Sequence, residues 1–484
     1  MSALIPLALF GAIPLALGLF ASIQARRALI AFFVLAWLFL PVSSIDIPML
    51  PPYDKRMAAS LSGLLAILVF RPRSLWSVRP GWVDAPMALW CFAPFMSALS
   101  NGMGLHEALS SCFEISVVWG LPYWFGRIFI RDLNAARDLA LGIVAGGAIY
   151  ILFCLWEVRM SPRLHLIVFG ERQHRWSQVH RGGGYRPMVF QDHGLMLSFW
   201  MATCAMIALW ISWAKGVRKL GPFPIWPVAL ALLGTTLICK SLGALGLLLA
   251  GCGALWFSSV TRTRFLVTLM VLAPPLYCGA RMSGVFQGGA AVELASSINE
   301  RSANSLQFRL DNEAILMDHA LRRPLLGWGR FARSNPRDRE TGRYMATQDG
   351  QWIRALGMTG LVGLIALLLT AVVPVLVGLR ALGARGLQSP GAAPLGALIM
   401  VVVLYSIDNL LNAMANPIYM IVAGGVTSVA LHGLQRPGRR TRFRLRGSAG
   451  EERGSRGSSL LRRAPARNNR RVPQTETGER RRAQ

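Results

Sequence analysis

Charge is scarce in this chain of 484 residues. Asp, Glu, Lys and Arg make up 15% of it, where a soluble globular protein carries roughly a quarter. Acidic residues are the rarer sign, 23 against 51 basic. There is no HExxH, no Walker loop and no GxSxG, which argues against metalloprotease, ATPase and esterase chemistry. No CxxC occurs among the seven cysteines, and nearly all of them fall in apolar runs. Metal and disulfide frameworks want close pairs in loops, so these thiols read as small packing groups and no metal is expected. The first apolar run, residues 4–23, has no basic residue before it and Arg26 and Arg27 after it. A secretory signal has the reverse order, so the run reads as a retained helix.

What is present in quantity is apolar sequence. Hydrophobic residues make up 53% of the chain and the mean hydropathy is +0.43. Runs of roughly 18 or more apolar residues mark membrane-spanning helices, and they recur along the whole length. Helices are expected at 4–23, 28–45, 57–70, 84–99, 112–126, 138–157, 193–214, 225–239, 242–259, 265–281, 352–379, 395–411 and 417–434. The expectation is an all-α integral membrane protein of about 12–13 transmembrane helices. It divides into a bundle (1–281) with a long loop at 158–192, a large, partly helical loop (282–351), C-terminal helices (352–434) and a tail (435–484).

The net charge of +28 suggests nucleic acid until it is located. The tail holds 16 Arg against 4 Glu, a balance of +12, with almost no large apolar residues. Such a segment is expected to be disordered and to face the cytoplasm and anionic lipid, so membrane lipids rather than nucleic acid are the expected partner. Basic residues fill every second short loop: Arg26/Arg27, Arg71/Arg73/Arg79, Arg127/Arg131/Arg137, Lys215/Arg218/Lys219, Arg262/Arg264 and Arg380/Arg385. That alternation places them and the tail inside, and the two long loops outside.

Segment 158–192 holds six Arg and three His; segment 282–351 holds 9 Arg and 8 acidic residues. Leu306, Leu310, Ala314, Met317 and Leu321 have helical spacing, which predicts an amphipathic helix that Pro324 would stop. Cations gather on the outer side: Arg301, Arg309, Arg322, Arg323 and Arg330 from one loop, Arg186 beside His193 from the other, and Lys240 at a tight helical hairpin. Lys240 interrupts the apolar span 225–259 and reads either as a functional charge or as a snorkelling side chain. Guanidinium groups match the oxygens of a pyrophosphate bidentately, so Arg186, Lys240, Arg309 and Arg323 are candidate pyrophosphate ligands.

Transfer to a sugar hydroxyl needs a base. Asp349 stands before the helix at 352 and is the first candidate; it could equally cap that helix. His193 is a second candidate, with Asp192 and His319 behind it. Gly357, Gly360 and Gly363 suggest close helix packing or passage of a lipid tail. Asp408, Asn409, Asn412 and Asn416 form a polar turn able to bind sugar or cap helices.

Four strings, in order, carry a resemblance: RPMVFQDHGLMLSF (186–199), CKSLGALGLLLA (239–250), Arg309 followed by PLLGWG (324–329), and DGQWIRALGMTGLVGL (349–364). Together the pattern resembles the O-antigen ligase/polymerase family of bacterial membrane proteins. The resemblance implies a GT-C-like, multi-pass protein of the bacterial inner membrane that works on the periplasmic face. It implies a metal-independent glycosyltransferase without cofactor, moving a glycan from undecaprenyl pyrophosphate to a glycan or lipid acceptor, with polysaccharide-assembly proteins as possible partners. It also implies that Arg186 and Arg309 bind pyrophosphate. Two positions depart from the family pattern. Its Ser-Arg is Ser241-Leu242 here, the charge coming earlier as Lys240, and its His-Asn near the loop exit is Asp349-Gly350. A lipid-glycan transporter or flippase is the main rival and would need broken helices or internal repeats; a scaffold for polysaccharide assembly is another.

Overall fold

In the computed structural model each expected apolar run folds as a helix. The structure describes residues 2–173, 179–181, 183–330, 332–387 and 389–433; the basic tail lies outside the described residues. In chain order the helices are α1 (Leu4–Ser22), α2 (Ala25–Phe39), α3 (Lys55–Phe70), α4 (Ala85–Ser100), α5 (Leu105–Ile115), α6 (Leu121–Phe129), α7 (Leu133–Met160) and α8 (Leu164–Phe169). They continue with α9 (Gly194–Trp213), α10 (Ile225–Ile238), α11 (Leu242–Thr261), α12 (Phe265–Met282), α13 (Gly289–Ile298), α14 (Glu300–Leu321), α15 (Gln351–Gly386), α16 (Ala393–Leu411) and α17 (Pro417–Ser428). Among the described residues, strand is limited to two short hairpins, β1 (His180–Arg181) with β2 (Gly184–Tyr185) and β3 (Lys219–Leu220) with β4 (Phe223–Pro224). The chain is an all-α integral membrane protein: among the described residues 8 helices are long and apolar enough to cross a membrane, and the other expected runs fold as shorter or composite helices.

Several boundaries move for local reasons. α2 ends at Phe39, short of the expected 45, because Pro41 disfavours helix at the residue before it. α7 starts early, at Leu133, because Asp132 caps it by accepting the Ala135 N–H at 2.7 Å. The expected helix 112–126 begins at Leu105 and passes through a π turn (Ser116–Gly120) into α6. The amphipathic helix begins at Glu300 rather than Leu306, and it ends at Leu321, ahead of Pro324 as expected. By their contacts residues Met1–Gln435 form one compact unit.

The centre is set by apolarity all round. α9 is buried over 89% of its most apolar stretch and α16 over 72%, whereas α1 and α12 reach only 28%. Phe199, Tyr405 and Tyr419 join α9, α16 and α17 through ring contacts of 4.8–6.5 Å.

α15 is broken. Gly360 takes φ 64°, ψ −162° in mid-helix. In an unbroken helix the Leu361 and Val362 N–H groups would bond the Gly357 and Met358 carbonyls. Here they donate to the carbonyls of Pro324 (2.7 Å) and Leu325 (3.3 Å). The freed Gly357 and Met358 carbonyls accept from the N–H groups of Trp328 (2.8 Å) and Gly329 (3.0 Å). Segment 324–329 is thus spliced into the break, and every displaced backbone bond is remade. The glycines permit it: a Cβ on Gly360 would lie 2.3 Å from the Leu325 carbonyl, and one on Gly327 2.7 Å from the Gly357 oxygen. The Ser97 hydroxyl also donates to the Met358 carbonyl at 2.7 Å, and the Asn101 amide to that of Gly327 at 2.9 Å.

A second splice pins α14 to the bundle. The buried Glu313 accepts from the Tyr277 hydroxyl (2.7 Å) and the Trp352 indole (3.1 Å), and pairs with Arg281 at 3.5 Å. Arg281 also donates to the Leu310 carbonyl at 3.0 Å. Burial pushes the Glu313 carboxyl up, and these partners oppose the shift.

Two stability predictions follow from these splices. Gly360→Ala puts a side chain into both a left-handed φ and the Leu325 backbone, and should cost about 3 kcal/mol. Gly253→Ala, where nothing lies within 4 Å, should be near neutral. Equal thermal-unfolding midpoints for the two variants in detergent would count against the splice. Arg281→Ala should cost about 3 kcal/mol by stranding a buried carboxylate. Adding Glu313→Gln should then recover part of the loss, and a double variant no more stable than Arg281→Ala would refute the pairing.

Candidate functional site

The first anchor of the site is Glu157, on the last turns of α7 and fully buried. Its carboxylate accepts from the N–H groups of Met188 (2.7 Å), Val189 (2.8 Å) and Leu164 (3.1 Å). Both ends of segment 158–192 are therefore tied to one side chain. The Lys55 ammonium donates to the Phe190 carbonyl (2.9 Å) and the Gln191 amide to that of Trp37 (3.1 Å). The β1–β2 hairpin then delivers Arg186, whose N–H bonds the Val179 carbonyl at 2.8 Å.

Arg186 is 2% exposed and donates through Nη2 to the Lys240 carbonyl at 3.0 Å. It meets the carbonyl end of α10, where backbone acceptors are left over and a cation is favoured. Lys240 is the middle residue of the three-residue link Cys239–Ser241 between α10 and α11, and takes φ 53°. An L-residue pays roughly 1–2 kcal/mol for that conformation. Its ammonium lies against Gly184 of the hairpin: a Cβ there would come within 2.5 Å of Nζ. The next residue, Ser241, caps α11 by accepting the Ala244 N–H at 3.4 Å.

Arg309 comes from α14. Its guanidinium donates to the Asn412 side-chain oxygen Oδ1 at 3.4 Å, and the Asn412 side-chain amide donates to Asp408 at 2.7 Å. Arg186, Lys240 and Arg309 thus line one cavity of about 740 Å³, together with Asp408, Asn412 and the first turn of α11. Three cations face one carboxylate in that lining, beside a helix N-terminus that favours anions. Leu195, Leu237, Leu242, Leu245 and Leu306 give the same cavity an apolar flank.

Asp349 does not cap α15. The N-cap is Gly350, and the Asp349 carboxylate has no hydrogen-bond partner among the described residues. Burial pushes its carboxyl up, and the charge of Arg309 opposes the shift. The chain before it is held by the Asn312 side-chain oxygen Oδ1, which accepts the Thr347 N–H at 2.8 Å. Asp349 is outside the lining of the 740 Å³ cavity but within electrostatic reach of its Arg309.

Two expected site residues lie elsewhere. His193 is the N-cap of α9, with Nδ1 accepting the Leu195 N–H at 3.0 Å, and it does not line the cavity. A histidine opening an apolar helix has four orphan donors beside it, and capping takes its ring nitrogen. Arg323 lies over the Trp328 ring at 4.6 Å and donates to Asn101. It lines a separate cavity of about 390 Å³ with His319 and Arg333, because the splice at Gly360 draws Trp328 and its neighbours towards α4. His319 stacks on Trp328 at 4.4 Å. The Arg301 side chain lies outside the described residues.

Sequence reasoning passed over Arg354 and Arg56, which line two further cavities near the start of α15. Arg354 had the same signal as Lys240, a lone charge inside an apolar run. Arg56 had none, since it opens α3 beside its capping residue Asp54. Set against known proteins, the chain matches no protein-family model and no curated protein sequence.

Proposed function

We propose that the protein transfers a glycan from a lipid pyrophosphate donor to a hydroxyl of a glycan or lipid acceptor, as a polymerase or ligase on the outer face of a bacterial inner membrane. The observation that carries this reading is the convergence of Arg186, Lys240 and Arg309 on one cavity with an apolar flank. A lipid-linked pyrophosphate has that dual character. Its anionic head suits three cations and a helix N-terminus, and its polyprenyl chain suits the leucines.

In the proposed reaction the acceptor hydroxyl oxygen attacks the anomeric carbon of the donor sugar. A new glycosidic C–O bond forms as the bond to the pyrophosphate oxygen breaks. The electron pair leaves with the lipid pyrophosphate, and Arg186, Lys240 and Arg309 stabilise it. The proton goes to Asp349, whose carboxylate is unengaged and desolvated. His193 is left out of the chemistry because its ring nitrogen caps α9.

The rival transporter reading needs a broken helix whose freed backbone groups line a substrate path. α15 is broken, but Pro324, Leu325, Trp328 and Gly329 take up those groups. That leaves the break as a splice rather than a binding site.

The test is product formation by the purified protein from an undecaprenyl-pyrophosphate oligosaccharide in lipid nanodiscs. Arg309→Ala should lower the rate by about 100-fold or more, and Asp349→Asn by about 100-fold or more. Asp349 acts as a carboxylate, so the rate should rise with pH through a midpoint above the ordinary Asp value of about 3.9. Removing the Arg309 charge takes away what holds that carboxyl down. The acid limb of the residual Arg309→Ala activity should therefore move to higher pH. A wild-type protein that makes no product yet moves labelled lipid-glycan across proteoliposomes would overturn the reading.

A further inference from the structure

The start of α15 carries a second constellation. Two adjoining cavities, of about 350 and 140 Å³, share Glu114, Ile115, Gln351 and Arg354 in their walls. Their charged lining is Arg56, Arg330 and Arg354 against Asp54 and Glu114. Both carboxylates are already engaged. Asp54 accepts from Arg56 Nε at 2.6 Å. Glu114 is paired with Arg330, which also lies 3.8 Å from Glu107. The Arg354 guanidinium has no hydrogen-bond or ion-pair partner among the described residues, although the charge of Glu114 acts on it. Its guanidinium therefore shares the Glu114 charge with Arg330 and has no bonded acceptor of its own in a walled site, an arrangement that an anion would complete.

The rest of the lining is of a kind that holds sugars. Trp90 is 3% exposed, and its indole N–H is buried with no acceptor among the described residues. Buried donors are rarely left so, which points to a ligand or water as its partner. Trp90 meets Trp119, from the smaller cavity, edge to face at 5.7 Å. The Gln351 amide adds a donor and an acceptor, and Gln348, whose amide N–H donates to the Ser334 hydroxyl at 2.9 Å, lines the same wall. Aromatic rings, amides and a single free guanidinium suit a sugar that bears one carboxylate. A pyrophosphate, with a charge on each phosphate, is better met by the three cations of the 740 Å³ cavity. Asp349 stands in the chain between Gln348 and Gln351 of this second site and senses Arg309 of the first.

We propose that this second site binds the acceptor glycan through an acidic sugar, its carboxylate gripped by Arg354. The inference rests on the glycan-transfer reading and adds the acceptor's chemical class.

The test uses the full-length protein in lipid nanodiscs, with trigalacturonic acid, its neutral counterpart galactotriose and undecaprenyl pyrophosphate as probes in separate binding titrations. The wild type should prefer the acidic trisaccharide. Arg354→Gln should weaken its binding by about tenfold or more, the scale of a charge-assisted hydrogen-bonded pair, and leave the lipid unaffected. Gln351→Glu supplies an internal carboxylate one helical turn from Arg354 and should abolish the acidic preference in a chain with every cation retained. Arg309→Gln should weaken the lipid alone. An acidic preference that survives Arg354→Gln or Gln351→Glu, or that the wild type lacks, overturns the proposal. So does a loss of lipid binding in Arg354→Gln, which would assign the site to the donor. If Arg309→Gln leaves lipid binding intact while the acidic preference still depends on Arg354, the donor assignment fails and the acidic-sugar site stands.

Discussion

The arrangement depends on a backbone exchange at Gly360. A helix in an apolar medium cannot leave N–H and C=O groups unpaired, so α15 could break only where another backbone replaces its own bonds. Segment 324–329 does this with four hydrogen bonds, two accepted by the first half of the helix and two donated by the second. The consequence is positional. The chain from α14 must return to α15 at a fixed depth, which sets where Arg330, Ser334 and Gln348 can stand. It also holds Trp328, with Arg323 and His319, in a separate place.

Two buried carboxylates do for the flanking segments what the splice does for the helix. Glu157 gathers Leu164, Met188 and Val189 and so aims Arg186 at the end of α10. Glu313 ties α14 to α12 and α15 and so sets Arg309 over Asn412. Arg186 and Arg309 are thus each presented by an element whose own position rests on a satisfied buried acid. Loops of this length would otherwise pay heavily in conformational entropy to hold a guanidinium in place.

The cations are partitioned by their partners. Arg127 on α6 is bound by Asp84 at 2.8 Å and is structural. Arg56 and Arg330 are matched by Asp54 and Glu114. Arg186, Lys240 and Arg309 face a single carboxylate, and Arg354 has none paired to it. A count of basic residues would treat all of these alike; the carboxylate partners mark Arg127, Arg56 and Arg330 as held within the fold.

The sequence by itself determined that the chain is helical and embedded in a membrane, because apolar run length acts locally and needs no knowledge of contacts. It also placed the stop at Pro324 and pointed to Lys240 and Arg309, since a charge in or beside an apolar run is conspicuous in one dimension. It left Asp349 open between cap and base, and Gly357 and Gly360 between close helix packing and passage of a lipid tail. Only the tertiary structure removed the cap and showed the break at Gly360. A cap is a hydrogen bond, and Asp349 makes none to α15. The break at Gly360 exists because a segment some 30 residues earlier occupies it. The grouping of Arg186, Lys240 and Arg309, and the exclusion of Arg323, followed from the same long-range contacts. Hydropathy is a property of each residue, but a site is a property of which distant residues the buried acids and the spliced backbone bring together.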